Sequence, residues 1–145
     1  IAAGATANNY IDTGITVGDL RQWEYFGFHI INVSSGAYCS FTLGASSNNR
    51  IAWNNVCWIA IFKWITSQKT VLQNVSYIAT NNTLTKVMST LISKFGTSGI
   101  ANSQANALYP KLLSMTDISD DTKIYITTNN SPTVDITWEI RGLIK

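Results

Sequence analysis

The residues best suited to chemistry cluster around tryptophan. Trp53 sits in the run Ser46-Ser47-Asn48-Asn49-Arg50-Ile51-Ala52-Trp53-Asn54-Asn55, an indole among amides and a guanidinium. That is the equipment of a carbohydrate site: the ring covers the C–H face of a sugar while Arg50, Asn54 and Asn55 take its hydroxyls. Trp23, in Arg21-Gln22-Trp23-Glu24-Tyr25, has a similar setting. The plainer alternative for each indole is an amphipathic side chain that anchors a loop. Trp58, Trp64 and Trp138 fit buried strand faces and are read as core or interface residues.

Other chemistries have thinner support. The single histidine, His29, lies in Phe-Gly-Phe-His-Ile-Ile among bulky apolar neighbours. A nucleophile–histidine pair needs a base reachable from solvent, so His29 reads as a hydrogen-bonded structural residue. Asp117, Asp120 and Asp121 form the one acidic cluster. Calcium takes six to eight oxygens, and this run lacks the glycine and distal glutamate of an EF-hand loop, so no metal is expected. Glu24 and Glu139 could in principle make a glycosidase pair, with only the scarcity of carboxylates to recommend them. No phosphate-cradling glycine loop occurs, and no cofactor is expected. Cys39 and Cys57 could form one disulfide, but both lie in apolar strand-like runs, where buried thiols are the simpler reading.

Composition narrows the function classes. The 145 residues carry ten Lys+Arg and eight Asp+Glu, only 12% charged and net +2. An ordinary soluble domain is about 25% charged. Without a basic cluster the chain lacks the electrostatic footprint of a nucleic-acid binder. Fourteen Asn, 14 Ser and 17 Thr give it a surface of neutral hydrogen-bonding groups. The longest apolar stretch, Val56–Phe62, is far below the ~20 residues of a membrane helix, so no membrane insertion is expected. The small-residue opening over residues 1–9 reads as a linker or a cut point, and a chain starting at Ile1 reads as either a processed protein or one domain excised from a longer chain.

The elements that must position these residues are mostly strands. Period-two alternation runs through Ile11, Thr13, Ile15 and Val17; through Cys39, Phe41 and Leu43; through Val71, Val75 and Tyr77; through Ile124 and Ile126; and through Val134, Ile136, Trp138 and Ile140. Polar turn clusters separate them, as at residues 44–49 and 129–132. This spacing, with no βαβ rhythm, predicts a mainly β, antiparallel β-sandwich of one domain over residues 1–145. Tyr25–Val33 and Val56–Ile65 are apolar on both faces. A two-layer sandwich buries one face of each strand, so these two need a second cover, from the same chain or from another subunit. One helix is expected over Thr83–Phe95, where Leu84, Val87, Met88, Leu91, Ile92 and Phe95 share a helical face between Asn82 and Gly96. It is a candidate cover.

The second half resembles a known family. The run Ser98–Leu108, then Lys123-Ile124-Tyr125-Ile126-Thr127, then Val134–Ile144 is similar in pattern to the C-terminal jelly-roll domains of bacteriophage tail fibres and tailspikes. Ile11-Asp12-Thr13-Gly14-Ile15 resembles their first strand. The likeness covers about a third of the chain and carries no diagnostic motif, and the helix-like segment departs from a pure jelly roll. The resemblance implies a homotrimer at the tip of a virion fibre, extracellular and non-catalytic, that binds bacterial cell-surface polysaccharide. It is also compatible with a ligand-free trimerisation or folding cap. A glycan-processing hydrolase is the third possibility.

Overall fold

Alternating sequences become paired strands because every backbone N–H and C=O must find a partner once its neighbours are buried. The computed structural model describes residues 1–31, 38–46, 49–54, 58–79 and 112–143. Within these, nine strands and one short helix are formed: β1 (Ile11–Thr16), α1 (Val17–Arg21), β2 (Tyr25–Ile30), β3 (Cys39–Leu43), β4 (Arg50–Asn54), β5 (Trp58–Trp64), β6 (Val71–Ala79), β7 (Leu112–Ser114), β8 (Lys123–Thr128) and β9 (Trp138–Leu143). Two sheets result, a four-stranded one of order β1-β8-β3-β4 and a five-stranded one of order β7-β6-β5-β2-β9. The described pairings are antiparallel, and the sheets pack face to face, so the β-sandwich expected from the sequence is the observed fold.

The core is the set of inward rows that alternation defines. Cys39, Phe41, Leu43, Ile124 and Ile126 come from the four-stranded sheet. Phe26, Phe28, Ile30, Trp58, Ala60, Phe62 and Trp64 come from the five-stranded one. Aromatic rings interlock across the gap: Phe41 stacks on Phe28 at 4.6 Å between centroids and meets Trp58 and Trp138 edge to face, both at 5.9 Å. Each such pair adds about 0.5–1.5 kcal/mol beyond area burial. They lock the two sheets in one relative position. Cys39 is part of this core, whereas Cys57 lies outside the described residues.

The doubly apolar strands behave as their sequences demand. β2 and β5 are adjacent and central in the five-stranded sheet. On their second face Tyr25, His29, Ile59 and Ile61 are no more than 1% exposed in the single chain. Their burial therefore requires no second subunit. The helix expected over Thr83–Phe95 lies outside the described residues.

Three details differ from the sequence reading. Val17 continues the alternation of β1 but opens α1, because Thr16 and Asp19 form a reciprocal capping box: the Thr16 hydroxyl accepts from the Asp19 N–H, and Asp19 accepts from the Thr16 N–H at 2.8 Å. Arg50–Asn54, which lies outside the alternating runs read from the sequence, is a strand. It pairs with β3 and buries Ile51 and Ala52. Val134 lies outside β9 and is 41% exposed, while Ile136 is buried and exchanges backbone hydrogen bonds with Ile1. The opening residues are held in the same way, by Gly4 N–H to the Pro132 carbonyl and Asn8 N–H to the Thr128 carbonyl.

Candidate functional site

Register decides which candidates share a surface. β4 is the edge of the four-stranded sheet, with Ser40 opposite Trp53, Cys39 opposite Asn54, Phe41 opposite Ala52 and Thr42 opposite Arg50. Cys39 and Phe41 belong to the core, so positions 52 and 54 fall in the core-facing row and position 53 in the outer row. The register shift between Phe41 and Thr42 inserts Ile51 as an extra residue and returns position 50 to the outer row. Positions 50 and 53 therefore share the outer face with Ser40 and Thr42, whereas position 54 does not. Asn55 lies outside the described residues.

The same face continues across β8 and β1. Thr127 stands opposite Ser40, Tyr125 opposite Thr42, and Asp12 opposite Tyr125. With strands about 4.8 Å apart, β1 and β4 bound a surface roughly 14 Å wide. Its lining is polar and aromatic. Tyr10 and Tyr125 pair edge to face with centroids 6.3 Å apart. Lys123 Nζ lies 3.1 Å from the Asp12 carboxylate, which also accepts the Gly14 N–H at 2.8 Å. That backbone hydrogen bond, then Lys123, hold the Asp12 pKa below its ordinary value, and the Asp12 hydrogen bond raises that of Lys123. The Thr42 hydroxyl donates to the Gly44 carbonyl at 2.7 Å. The buried Thr127 hydroxyl has no hydrogen-bond partner among the described residues.

Tyr10, Tyr125, Asp12 and Lys123 were not singled out by the sequence. Their signal was present nonetheless: Lys123, Tyr125 and Thr127 are the alternates of Ile124 and Ile126, and Asp12 is the alternate of Ile11. An outward row becomes a site only when cross-strand register assembles it.

Trp23 is placed elsewhere. It follows α1 and lies against the five-stranded sheet, half-buried, 6.5 Å from Phe26 between ring centroids. Its indole occupies the space a side chain at Gly142 would take: a Cβ there would come within 2.1 Å of the ring.

The titratable candidates resolve into structural roles. His29 Nδ1 lies 2.7 Å from Glu139 Oε1, the same oxygen that Arg141 Nε approaches at 3.2 Å. Desolvation pushes the imidazole pKa below its ordinary value, against the pull of Glu139. The ring is therefore neutral, donates from Nδ1, and carries its lone pair on Nε2. Nε2 is buried with no partner among the described residues. This is the hydrogen-bonded histidine read from the sequence. Glu139 stands opposite His29, while Glu24 precedes Tyr25 at the far end of β2. Roughly 17 Å of strand separates the two carboxylates. Glycosidase pairs need about 5–10 Å. In the acidic cluster Asp120 pairs with Arg21, and no group of three or more His, Cys, Asp or Glu among the described residues could hold a metal ion. No described helix is long and apolar enough to cross a membrane.

Set against protein-family models, curated proteins and solved structures, the chain matches none of them.

Proposed function

We propose that this chain is a non-catalytic glycan-binding module, acting as a homotrimeric receptor-binding domain at the tip of a phage tail fibre or tailspike, with bacterial surface polysaccharide as its ligand. One observation carries the binding role. The outer face of the four-stranded sheet brings the Arg50 and Trp53 positions into one row with Ser40, Thr42, Thr127 and Tyr125. At its solvent-facing end the half-buried tyrosines, with their phenolic hydroxyls, and one balanced ion pair suit a ligand that is itself rich in hydroxyls and has apolar C–H faces. The low charge of the whole chain favours the same ligand. The fibre-like pattern of the second half supports the virion setting and the trimer.

The test is a glycan array with the purified chain, together with adsorption of virions carrying Trp53→Ala. Binding of a bacterial polysaccharide and loss of adsorption by the variant are expected. An array without a hit, alongside unchanged adsorption, rejects the role. Light scattering tests the assembly: a mass three times the 15.9 kDa chain is expected, and a monomer rejects the trimer.

A further inference from the structure

The outer face of the four-stranded sheet is graded from closed to open along β8. Thr127 is 6% exposed, Ser40 3% and Thr42 fully buried. Tyr125 and Tyr10 are half-buried, and the Lys123 and Asp12 side chains are 56% and 42% exposed. A ligand arriving from solvent therefore meets the β1–β8 end first. We propose that the principal sugar subsite lies there, with Tyr125 as the stacking platform, its ring held by Tyr10, with Asp12 and Lys123 reading hydroxyls, and with an uncharged pyranose as ligand. This rests on the glycan-binding reading above.

The geometry supplies what such a sugar needs. In the edge-to-face Tyr10–Tyr125 pair, each ring keeps at least one of its faces clear of its mate. Each tyrosine also has a phenolic O–H that both donates and accepts. The Asp12 carboxylate is fixed by the Gly14 N–H and by Lys123, and it has acceptor positions left over. The Lys123 ammonium spends one of its three donors on Asp12. Acceptor and donor thus stand side by side with no net charge, matching vicinal hydroxyls that each donate and accept. A uronate or phosphate placed here would face the Asp12 carboxylate, and like charges repel.

The test uses the full chain, titrated calorimetrically at low and high salt with dextran, mannan and galactan as neutral polymers and alginate as a uronate polymer. Wild type is expected to bind a neutral polymer with little dependence on salt. Tyr125→Val, which preserves strand preference, should lower that affinity about tenfold or more, while Tyr125→Phe should stay within about threefold. Asp12→Asn should weaken the neutral polymer and confer salt-sensitive binding of alginate, because Lys123 loses its counter-charge. Thermal melts confirm that each variant is folded. Unchanged affinity in a folded Tyr125→Val, with loss in Trp53→Ala, overturns this subsite and leaves the glycan-binding reading standing. Wild-type preference for alginate overturns the uncharged ligand. Binding of no polymer overturns both readings together.

Discussion

The seat of Trp23 on Gly142 makes a prediction whose size follows from distances. In Gly142→Ala the new Cβ would lie 2.1, 2.4 and 2.6 Å from three carbons of the indole. Carbon–carbon contact is comfortable at about 3.5–4.0 Å. The ring cannot move inward, because Phe26, opposite Gly142 in the register, already packs beside it. The indole must swing off the sheet. Full loss of a buried aromatic costs about 3–5 kcal/mol. Trp23 is half-buried, so a cost of about 2–3 kcal/mol is expected, offset by about 0.5–1 kcal/mol from replacing a strand glycine by alanine. The net of about 2 kcal/mol corresponds to a fall in Tm of about 6–8 °C for a chain of this size.

A double-mutant cycle isolates the contact. Trp23→Ala alone should destabilise by a similar amount, about 2–3 kcal/mol. In that background Gly142→Ala meets no indole and should be neutral or slightly stabilising, so the two changes couple by about 2 kcal/mol. Denaturant unfolding of the four proteins measures the coupling. Additive effects would refute the seat. So would a Trp23→Ala protein of unchanged stability that loses only sugar binding, since that is the behaviour of a contact residue rather than an anchor.

Three further outcomes follow from other parts of the fold. Thr16→Ala removes the capping box of α1 and should cost about 1 kcal/mol, read as a fall in Tm of about 3 °C. Arg21 donates to the Met115 carbonyl at 2.7 Å and the Ile118 carbonyl at 3.0 Å and pairs with Asp120, so Arg21→Ala should cost about 2 kcal/mol and speed hydrogen exchange over residues 115–122. His29 has a folded pKa below its ordinary 6.5. The unfolded chain then binds the proton first as pH falls. Stability should be complete above about pH 6.5 and decline below it as the imidazole is forced to charge, with a slope of at most one proton. A His29→Gln protein without that acid-side slope is expected, and an unaltered slope in the variant refutes the assignment.

The sandwich was legible because its strands obey period two. Phe26, Phe28 and Ile30, or Cys39, Phe41 and Leu43, declare a buried face with no knowledge of the partner strand. β4 was illegible for a local reason. The bulge at Arg50–Ile51 puts Ile51 and Ala52 in succession into the core, which breaks the alternation, and the flanking asparagines read as turn. α1 was hidden by the opposite effect: Val17 fits the rhythm of Ile11, Thr13 and Ile15, while Gly18 weakens any helical signal. Glycine suits that position because Asp120 comes close to it: a Cβ on Gly18 would lie 3.1 Å from the Asp120 Cβ. Of the candidate site, Arg50 and Trp53 were visible as residue types. Tyr125, Asp12 and Lys123 were not, because their neighbourhood is created by pairing between strands far apart in the chain. Trp23 shows the same limit, for nothing near it in sequence announces Gly142.

The two outer faces of the sandwich differ in what they offer to solvent. On the five-stranded sheet the second faces of β2 and β5 carry Tyr25, His29, Ile59 and Ile61, all buried. The charge there is spent internally, with the Glu139 carboxylate shared by His29 and Arg141. Opening that face to a ligand would expose apolar side chains at about 1.5–3 kcal/mol apiece and leave the His29–Glu139 bond to compete with water. On the four-stranded sheet the outward row is closed at Ser40, Thr42 and Thr127 but meets water at its β1–β8 end, where Tyr10 and Tyr125 are half-buried and the Asp12–Lys123 pair is exposed. A sugar there exchanges water for equivalent hydrogen bonds and gains ring contact, without dismantling anything that holds the fold. That difference in exposure is why the proposed subsite is set at the β1–β8 end of the four-stranded sheet rather than on the five-stranded one.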